Sequence, residues 1–330
     1  MKYPLREVYS KLDKQHREYY DKYGRSPIFL KWITFFTKLL EIYYFFRLLP
    51  RRKNSRILLY KDVIYSNKRP RNITDIYTPR EASNRPCVIF VHGGFLCSGD
   101  KIKNVTLGNQ LAKNGIVAFV ANYTLYPKGD GNDMIDDMAE IVRWVHDNAE
   151  KYGGSPENIH MLGYSAGAAI CYWYLSTRKQ LGHHTKINSF IGVGGAYCPK
   201  THFVMQTHSG FEHNVGFVIF EKTFEYNLHQ FIKNNPNYAK EMPRTYILFG
   251  NKDHIVGDGN GKEIIEVLRA HKDNQDDTKY IEYNGGHIDL LAYASEQPVE
   301  ETIKIPRDTY ITKRPITMIS SDIINFINLN

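Results

Sequence analysis

At 330 residues, with 42% hydrophobic and 24% charged side chains, the chain is long enough and apolar enough to bury a large core, which excludes a disordered protein and favours one large α/β domain with additional pieces. A formal net charge of +8 suits an anionic partner. No finger, helix-turn-helix or RNA-binding signature accompanies the basic residues, so nucleic acid is excluded as the expected partner.

In chain order, residues 1–21 are polar and highly charged and carry no apolar secretory signal. Residues 28–49 are dense in Phe, Leu, Ile, Tyr and Trp, broken by Lys31, Lys38, Glu41 and Arg47. The apolar side chains favour membrane insertion by roughly 4–8 kcal/mol while Lys38 and Glu41 oppose it by roughly 5–7 kcal/mol, so insertion is close to balanced. At the helical period Lys31, Thr34, Thr37, Lys38 and Glu41 share one arc, which makes an amphipathic helix and leaves a broad apolar face. That face suits a bilayer surface or the mouth of an active site. A basic run follows it, including Arg51, Arg52, Lys53, Arg56, Lys61, Lys68, Arg69 and Arg71, and reads as a solvated or membrane-facing surface.

Beyond Pro50 short strands alternate with helices. Strands are expected at 57–65, 72–77, 87–91, 116–122, 158–162, 189–197, 244–250 and 279–283, and helices at 104–113, 132–152, 166–178, 261–271 and 320–329. Residues 200–243 lose the alternation and read as an irregular helical insertion. The pattern predicts an α/β fold with a mainly parallel, doubly wound sheet and helices on both faces, whose chemistry belongs at the carboxyl ends of the strands. The four cysteines, Cys87, Cys97, Cys171 and Cys198, show neither disulfide nor zinc spacing, and His183-His184 lacks a partnered acid, so no metal and no cofactor are expected.

Chemistry concentrates at Gly163-Tyr164-Ser165-Ala166-Gly167, which joins an expected strand to an expected helix. A serine on such a tight turn is displayed at the strand's carboxyl end, and the two glycines make room for the reversal. A serine hydroxyl needs a base to take its proton and an acid to hold that base. His287, in the glycine loop after the strand at 279–283, is the expected base. Asp253, directly after the strand at 244–250, is the expected acid, with Asp258 as its rival; Asp289 reads as the N-terminal charge of a helix. His92-Gly93-Gly94-Phe95 follows another strand, and the backbone N–H groups of Gly93, Gly94 and Ala166 are the expected oxyanion donors, with His92 bracing the loop.

Ser165, Asp253 and His287 in that order, with His92-Gly93-Gly94 upstream, resemble an α/β-hydrolase of the hormone-sensitive-lipase and carboxylesterase group. Within it, Val91-His92-Gly93-Gly94, Gly99-Asp100-Lys101, Tyr123 to Pro127, Trp144 and Tyr152-Gly153-Gly154 are similar to the prenylcysteine methylesterase branch, which carries a hydrophobic membrane segment before its hydrolase domain. The resemblance runs from residue 57 to the C-terminus. It implies an N-terminal helical segment at 1–55, a hydrolase domain at 56–330 and a small helical cap at about 200–243. It further implies a serine esterase acting through an acyl-serine on an apolar methyl, acetyl, lipid or prenylcysteine ester. The location implied is intracellular, cytoplasmic or on the cytoplasmic side of a membrane, with peripheral contact through residues 28–56. Oligomeric state is left open. Two positions depart from the group: Phe95 stands where relatives carry a small residue, and Tyr164 where they often carry Gln or Asp, so both are expected to shape the substrate pocket. The alternative is a receptor or binding module on the same fold, since fold alone does not give function.

Overall fold

The expected strands form through β-branched and aromatic residues that pack on a pleated, buried surface. The computed structural model describes residues 56–179, 181–197, 236–256, 260–299 and 311–329. The helix expected at 28–49, Asp258, Cys198 and most of the insertion lie outside the described residues. Among those described, nine strands make one sheet: β1 (Ile57–Ile64), β2 (Ile73–Pro79), β3 (Arg85–Val91), β4 (Val117–Ala121), β5 (Gly154–Tyr164), β6 (Ser189–Val193), β7 (Arg244–Gly250), β8 (Thr278–Tyr283) and β9 (Ile311–Arg314). Their order is β1-β2-β4-β3-β5-β6-β7-β8-β9. The first hairpin and the β2–β4 pair are antiparallel, and from β4 to β9 every neighbour is parallel.

Seven helices flank the described sheet: α1 (Val105–Lys113), α2 (Gly131–Asn148), α3 (Ala166–Thr177), α4 (Pro236–Glu241), α5 (Asn260–His271), α6 (His287–Ala294) and α7 (Ile319–Asn328). Two apolar clusters result. One sets Met134, Ile141 and Val145 of α2, Ile170 of α3 and Ile264 of α5 against one face of the sheet; the other sets Leu107 of α1, Leu290 of α6 and Ile323 and Ile327 of α7 against the opposite face. A sheet covered on both faces explains why its central strands are continuously apolar rather than alternating. This is the α/β-hydrolase architecture, and the doubly wound expectation holds.

Local differences have local causes. The helix expected over 132–152 ends at Asn148 and continues as a 3-10 turn, Ala149–Tyr152, stopped by Gly153 at φ 80°. Gly154 then opens β5, which is much longer than the strand expected at 158–162. The strand expected at 189–197 stops at Val193, because Gly194 turns the chain at φ 56°. Edge strand β9 was not expected at all. Its Arg314 forms a buried ion pair with Asp322 of α7 (2.9 Å), and the Tyr283 hydroxyl of β8 donates to the same carboxylate (2.7 Å). Among the described residues no helix is long and apolar enough to cross a membrane.

Candidate active site

β5 runs into α3 through Ser165, whose φ of 54° and ψ of −124° place it where L-residues are rarely found. Such a conformation costs about 1–3 kcal/mol and persists only where the surroundings impose it. The surroundings do so here. The Ser165 N–H donates to the Val193 carbonyl at the end of β6 (2.8 Å), and a Cβ on Gly163 would collide with Ala168 while one on Gly167 would collide with the Val91 and His92 carbonyls. The second glycine therefore serves close packing of α3 on the end of β3 rather than the reversal itself.

The loops after β7 and β8 bring two further side chains to this turn. His287 Nε2 lies 2.9 Å from Ser165 Oγ, and His287 Nδ1 lies 2.6 Å from Asp253 Oδ2. All three residues are at most 9% exposed. The hydrogen-bond geometry assigns the proton to Nδ1, which donates to the carboxylate and leaves Nε2 to accept from the serine hydroxyl. Burial pushes the Asp253 carboxyl up, but the hydrogen bond and charge of His287 and the N–H groups of Val256 and Ile255, each 2.9 Å from Oδ1, outweigh it and hold Asp253 below its usual range. The two loops are stitched together: Lys252 N–H donates to the Gly285 carbonyl (3.0 Å) and Asn251 N–H to the Tyr283 carbonyl (2.9 Å). Asp289, as read from the sequence, caps a helix: its carboxylate accepts from the Gly286 N–H (2.8 Å) at the start of α6.

The loop after β3 closes the third side. A Cβ on Gly93 would approach the Ser165 Cβ to 2.8 Å, so only glycine lets this loop lie against the turn. Gly94 sits at φ 126°, and its carbonyl accepts from the Ser98 N–H and Ser98 Oγ, both at 2.9 Å. No described residue accepts from the N–H groups of Gly93, Gly94 or Ala166. His92 braces the loop as expected: Nδ1 bonds the Gly93 carbonyl (2.7 Å), the ring stacks on Tyr123 (4.6 Å), and the Tyr123 hydroxyl donates to the His92 carbonyl (3.1 Å). Burial lowers its pKa to about 4, against the pull of the Gly93 carbonyl, so the ring is neutral. Phe95 and Leu96 follow at φ 53° and 64°, and Phe95 is half-buried against the core.

Arg71 and Gly194 were not expected at this site, and Tyr164 was expected there as a residue shaping the substrate pocket. Arg71 belongs to the run read as a solvated or membrane-facing surface, yet its guanidinium donates to the Gly99 and Tyr123 carbonyls, both at 2.9 Å, and ties the loop after β3 to the end of β4. Its neighbours are also engaged: Arg69 pairs with Asp133, Asp136 and Asp137 of α2 at 2.6–2.8 Å, and Lys68 with Asp136 and Glu140. Arg69 and Arg71 are thus partly buried and turned onto the protein, whereas Lys68 stays exposed. Gly194 leaves room for the imidazole: a Cβ there would come within 3.1 Å of His287 Nδ1. Tyr164 turns its hydroxyl onto the His287 carbonyl (3.0 Å). Tyr164 left a signal, as the departure beside Ser165, whereas Gly194 lies inside the strand expected at 189–197 and left none.

Such an arrangement has the contacts needed to move a proton from a serine hydroxyl to an imidazole, beside a glycine loop whose N–H groups have no acceptor among the described residues. Known proteins show the family and the fold in which it sits. The BD-FAE family model matches residues 74–268, more than half of the chain, taking in Gly93, Gly94, Ser165 and Asp253 and stopping short of His287. A probable isoprenylcysteine alpha-carbonyl methylesterase from Arabidopsis thaliana is 30% identical over 245 residues, covering 69% of this chain and 49% of that protein. Another from Oryza sativa subsp. japonica is 34% identical over 164 residues, covering 47% and 37%. The chain thus spans about half the length of the curated relatives it matches, or less. Among solved structures, esterase B from Lactobacillus rhamnosis, inhibited by a tributyrin phosphonate, superposes with a TM-score of 0.61 at 16% identity over 79% of this chain and 87% of its own. The Pyrobaculum calidifontis esterase superposes equally well, at 0.61 and 15% identity over 81% and 92%; at these identities the likeness is one of fold. The extent of the family match, on this sheet and around this turn, places the chain in the BD-FAE family of α/β-hydrolase esterases.

Proposed function

We propose that the protein is a serine carboxylic-ester hydrolase that works through an acyl-serine intermediate. The observation that carries this reading is the continuous relay from Ser165 Oγ through His287 to Asp253, with 2.9 and 2.6 Å links. His287 Nε2 takes the hydroxyl proton as Oγ attacks the ester carbonyl carbon, and the N–H groups of Gly93, Gly94 and Ala166 receive the oxyanion. Collapse expels the alcohol, which takes the proton from His287. Water then attacks the acyl-serine, giving its proton to Nε2, and Ser165 recovers a proton as the acid leaves. Asp253 stays ionised throughout and stabilises the imidazolium, as its lowered pKa favours.

The substrate class we propose is an apolar ester, methyl, acetyl, lipid or prenylcysteine, which accords with the names of the methylesterase relatives. Residues 28–56 would bring the enzyme to a membrane surface holding such esters, given their amphipathic and basic pattern. A panel of p-nitrophenyl and methyl esters, with and without anionic vesicles, tests these points together with fluorophosphonate labelling. Wild type hydrolyses and is labelled, Ser165→Ala does neither, and deletion of residues 1–55 abolishes vesicle binding. Equal rates for wild type and Ser165→Ala, or no rate in either, overturn the enzymatic reading in favour of a binding module.

A further inference from the structure

Tyr164 meets three parts of the site: Ser165, His287 and the Gly93 loop. It precedes Ser165 on the turn, its hydroxyl donates to the His287 backbone carbonyl (3.0 Å), and its ring centroid lies 5.1 Å from that of the imidazole at a 33° tilt. On another side, a Cβ on Gly93 would approach Tyr164 Cδ1 to 3.1 Å, so the ring also bears on the oxyanion loop. The rest of the side chain packs against the cluster that contains Leu290 of α6 and Ile323 of α7. A residue that lined an acyl pocket would present its ring and hydroxyl to the substrate. Here the hydroxyl is committed to the chain of the base, and the ring lies between that base and the loop.

We propose that Tyr164 is a positioning residue: it holds His287 and the Gly93 loop in register with Ser165, and it does not select the acyl group. This deepens the assignment of Ser165 and His287 as the working pair and rests on it. His287 is the first residue of α6, so one backbone hydrogen bond at its carbonyl fixes both where that helix begins and where the imidazole lies. Without the bond the start of α6 loses its tie to the turn that carries Ser165, and a displacement of about 1 Å at a reacting group costs on the order of 10²-fold in rate.

The test uses wild type, Tyr164→Phe, Tyr164→Leu and Ser165→Ala, with kcat and KM measured on p-nitrophenyl esters of increasing acyl length. Tyr164→Phe, which keeps the ring, lowers kcat by about 3- to 10-fold, the range expected for one hydrogen bond. Tyr164→Leu lowers it by on the order of 100-fold. In both, KM and the ranking of acyl lengths stay as in wild type. An unchanged kcat in Tyr164→Phe, or a loss that varies with acyl length, overturns the proposal and returns Tyr164 to the substrate pocket. A second readout is independent of turnover: the low-field proton resonance of His287 Nδ1–H, bonded to Asp253, broadens or moves in Tyr164→Phe. If wild type and Ser165→Ala are equally inactive, the catalytic reading fails, and this resonance still decides whether Tyr164 positions His287; no change in it overturns the inference.

Discussion

Two serine–histidine pairs sit on the same sheet, one at each end of its parallel strands. At the carboxyl end His287 lies between Ser165 and Asp253; toward the amino end His160 of β5 lies between Ser189 Oγ (2.6 Å from Nδ1) and Asn158 Oδ1 (2.8 Å from Nε2). Judged by serine–histidine distance alone, the second pair is the tighter. Three differences separate them. Ser189 is an ordinary strand residue with no exposed surface, whereas Ser165 is thrust out on a strained turn. The residue behind His160 is an amide, which has no negative charge with which to stabilise an imidazolium. At the carboxyl end the glycine loop lies against the serine, a Cβ on Gly93 coming within 2.8 Å of Ser165 Cβ. On the proposed mechanism a serine–histidine contact makes a nucleophile only when strain displays it, a carboxylate supports it and donors await the developing charge.

The widest gap between the two ends should appear on removing each serine. Ser165→Ala is expected to lower kcat by on the order of 10⁶-fold. Ser189→Ala leaves hydrolysis and fluorophosphonate labelling at wild-type levels and lowers the unfolding free energy by about 1–3 kcal/mol, since His160 Nδ1 loses its buried partner. Loss of turnover in folded Ser189→Ala would break the comparison. Removing the charge comes next: Asp253→Asn is expected to cost on the order of 10⁴-fold in kcat, because an amide favours the wrong imidazole tautomer. The converse variant, Asn158→Asp in a Ser165→Ala background, gives the amino end all three residue types and stays inactive, since it supplies neither display nor oxyanion donors.

These contrasts also say what the sequence could carry. Strand, tight turn and helix around Ser165 are contiguous, so the turn is legible, and His287 and Asp253 stand within a few residues of strands whose apolar runs are plain. Pairings across long separations are not. Arg71 meets carbonyls 28 and 52 positions away, so its place in a basic run said nothing of its destination. Tyr164 was singled out as unusual, but the direction of its hydroxyl depends on where α6 begins, 123 residues on. Strand β9 has four residues, half of them charged, and forms because β8 offers an edge and Asp322 a partner for Arg314.

Arg71 gives an effect of intermediate size at the carboxyl end. Arg71→Met keeps the aliphatic stem and removes both carbonyl contacts, freeing the loop that carries Gly93 and Gly94. About 10-fold in kcat is expected, in line with hydrogen bonds from a charged group. The control is Lys68→Met: its exposed ion pairs with α2 contribute about 0–1 kcal/mol, and turnover is unchanged. Equal effects of the two would mean that Arg71 acts through net charge and not through the loop.

The smallest effect concerns protons, and it separates the two histidines by what surrounds them. Burial, helped by the charge of Arg244, lowers the His160 pKa to about 3 from an ordinary 6.5. The unfolded chain therefore takes up a proton as pH falls through 6.5 while the folded chain does not, so this residue's contribution is fully present above 6.5 and is lost on acidification until about 3. At pH 5 the loss amounts to about 2 kcal/mol, and buried, neutral His92 acts in the same direction. His160→Gln should flatten the dependence of Tm on pH between 6.5 and 4 without altering the acid limb of kcat/KM. On the proposed mechanism His287 accepts the serine proton and Asp253 stabilises the cation that forms, and neither touches His160. If His160→Gln moved the activity limb, or left the Tm profile as steep as before, the two ends would be coupled in a way their separate surroundings do not provide. If the profiles part as expected, one sheet holds two histidines doing opposite things: one built to stay neutral in the core, the other to take a proton and return it.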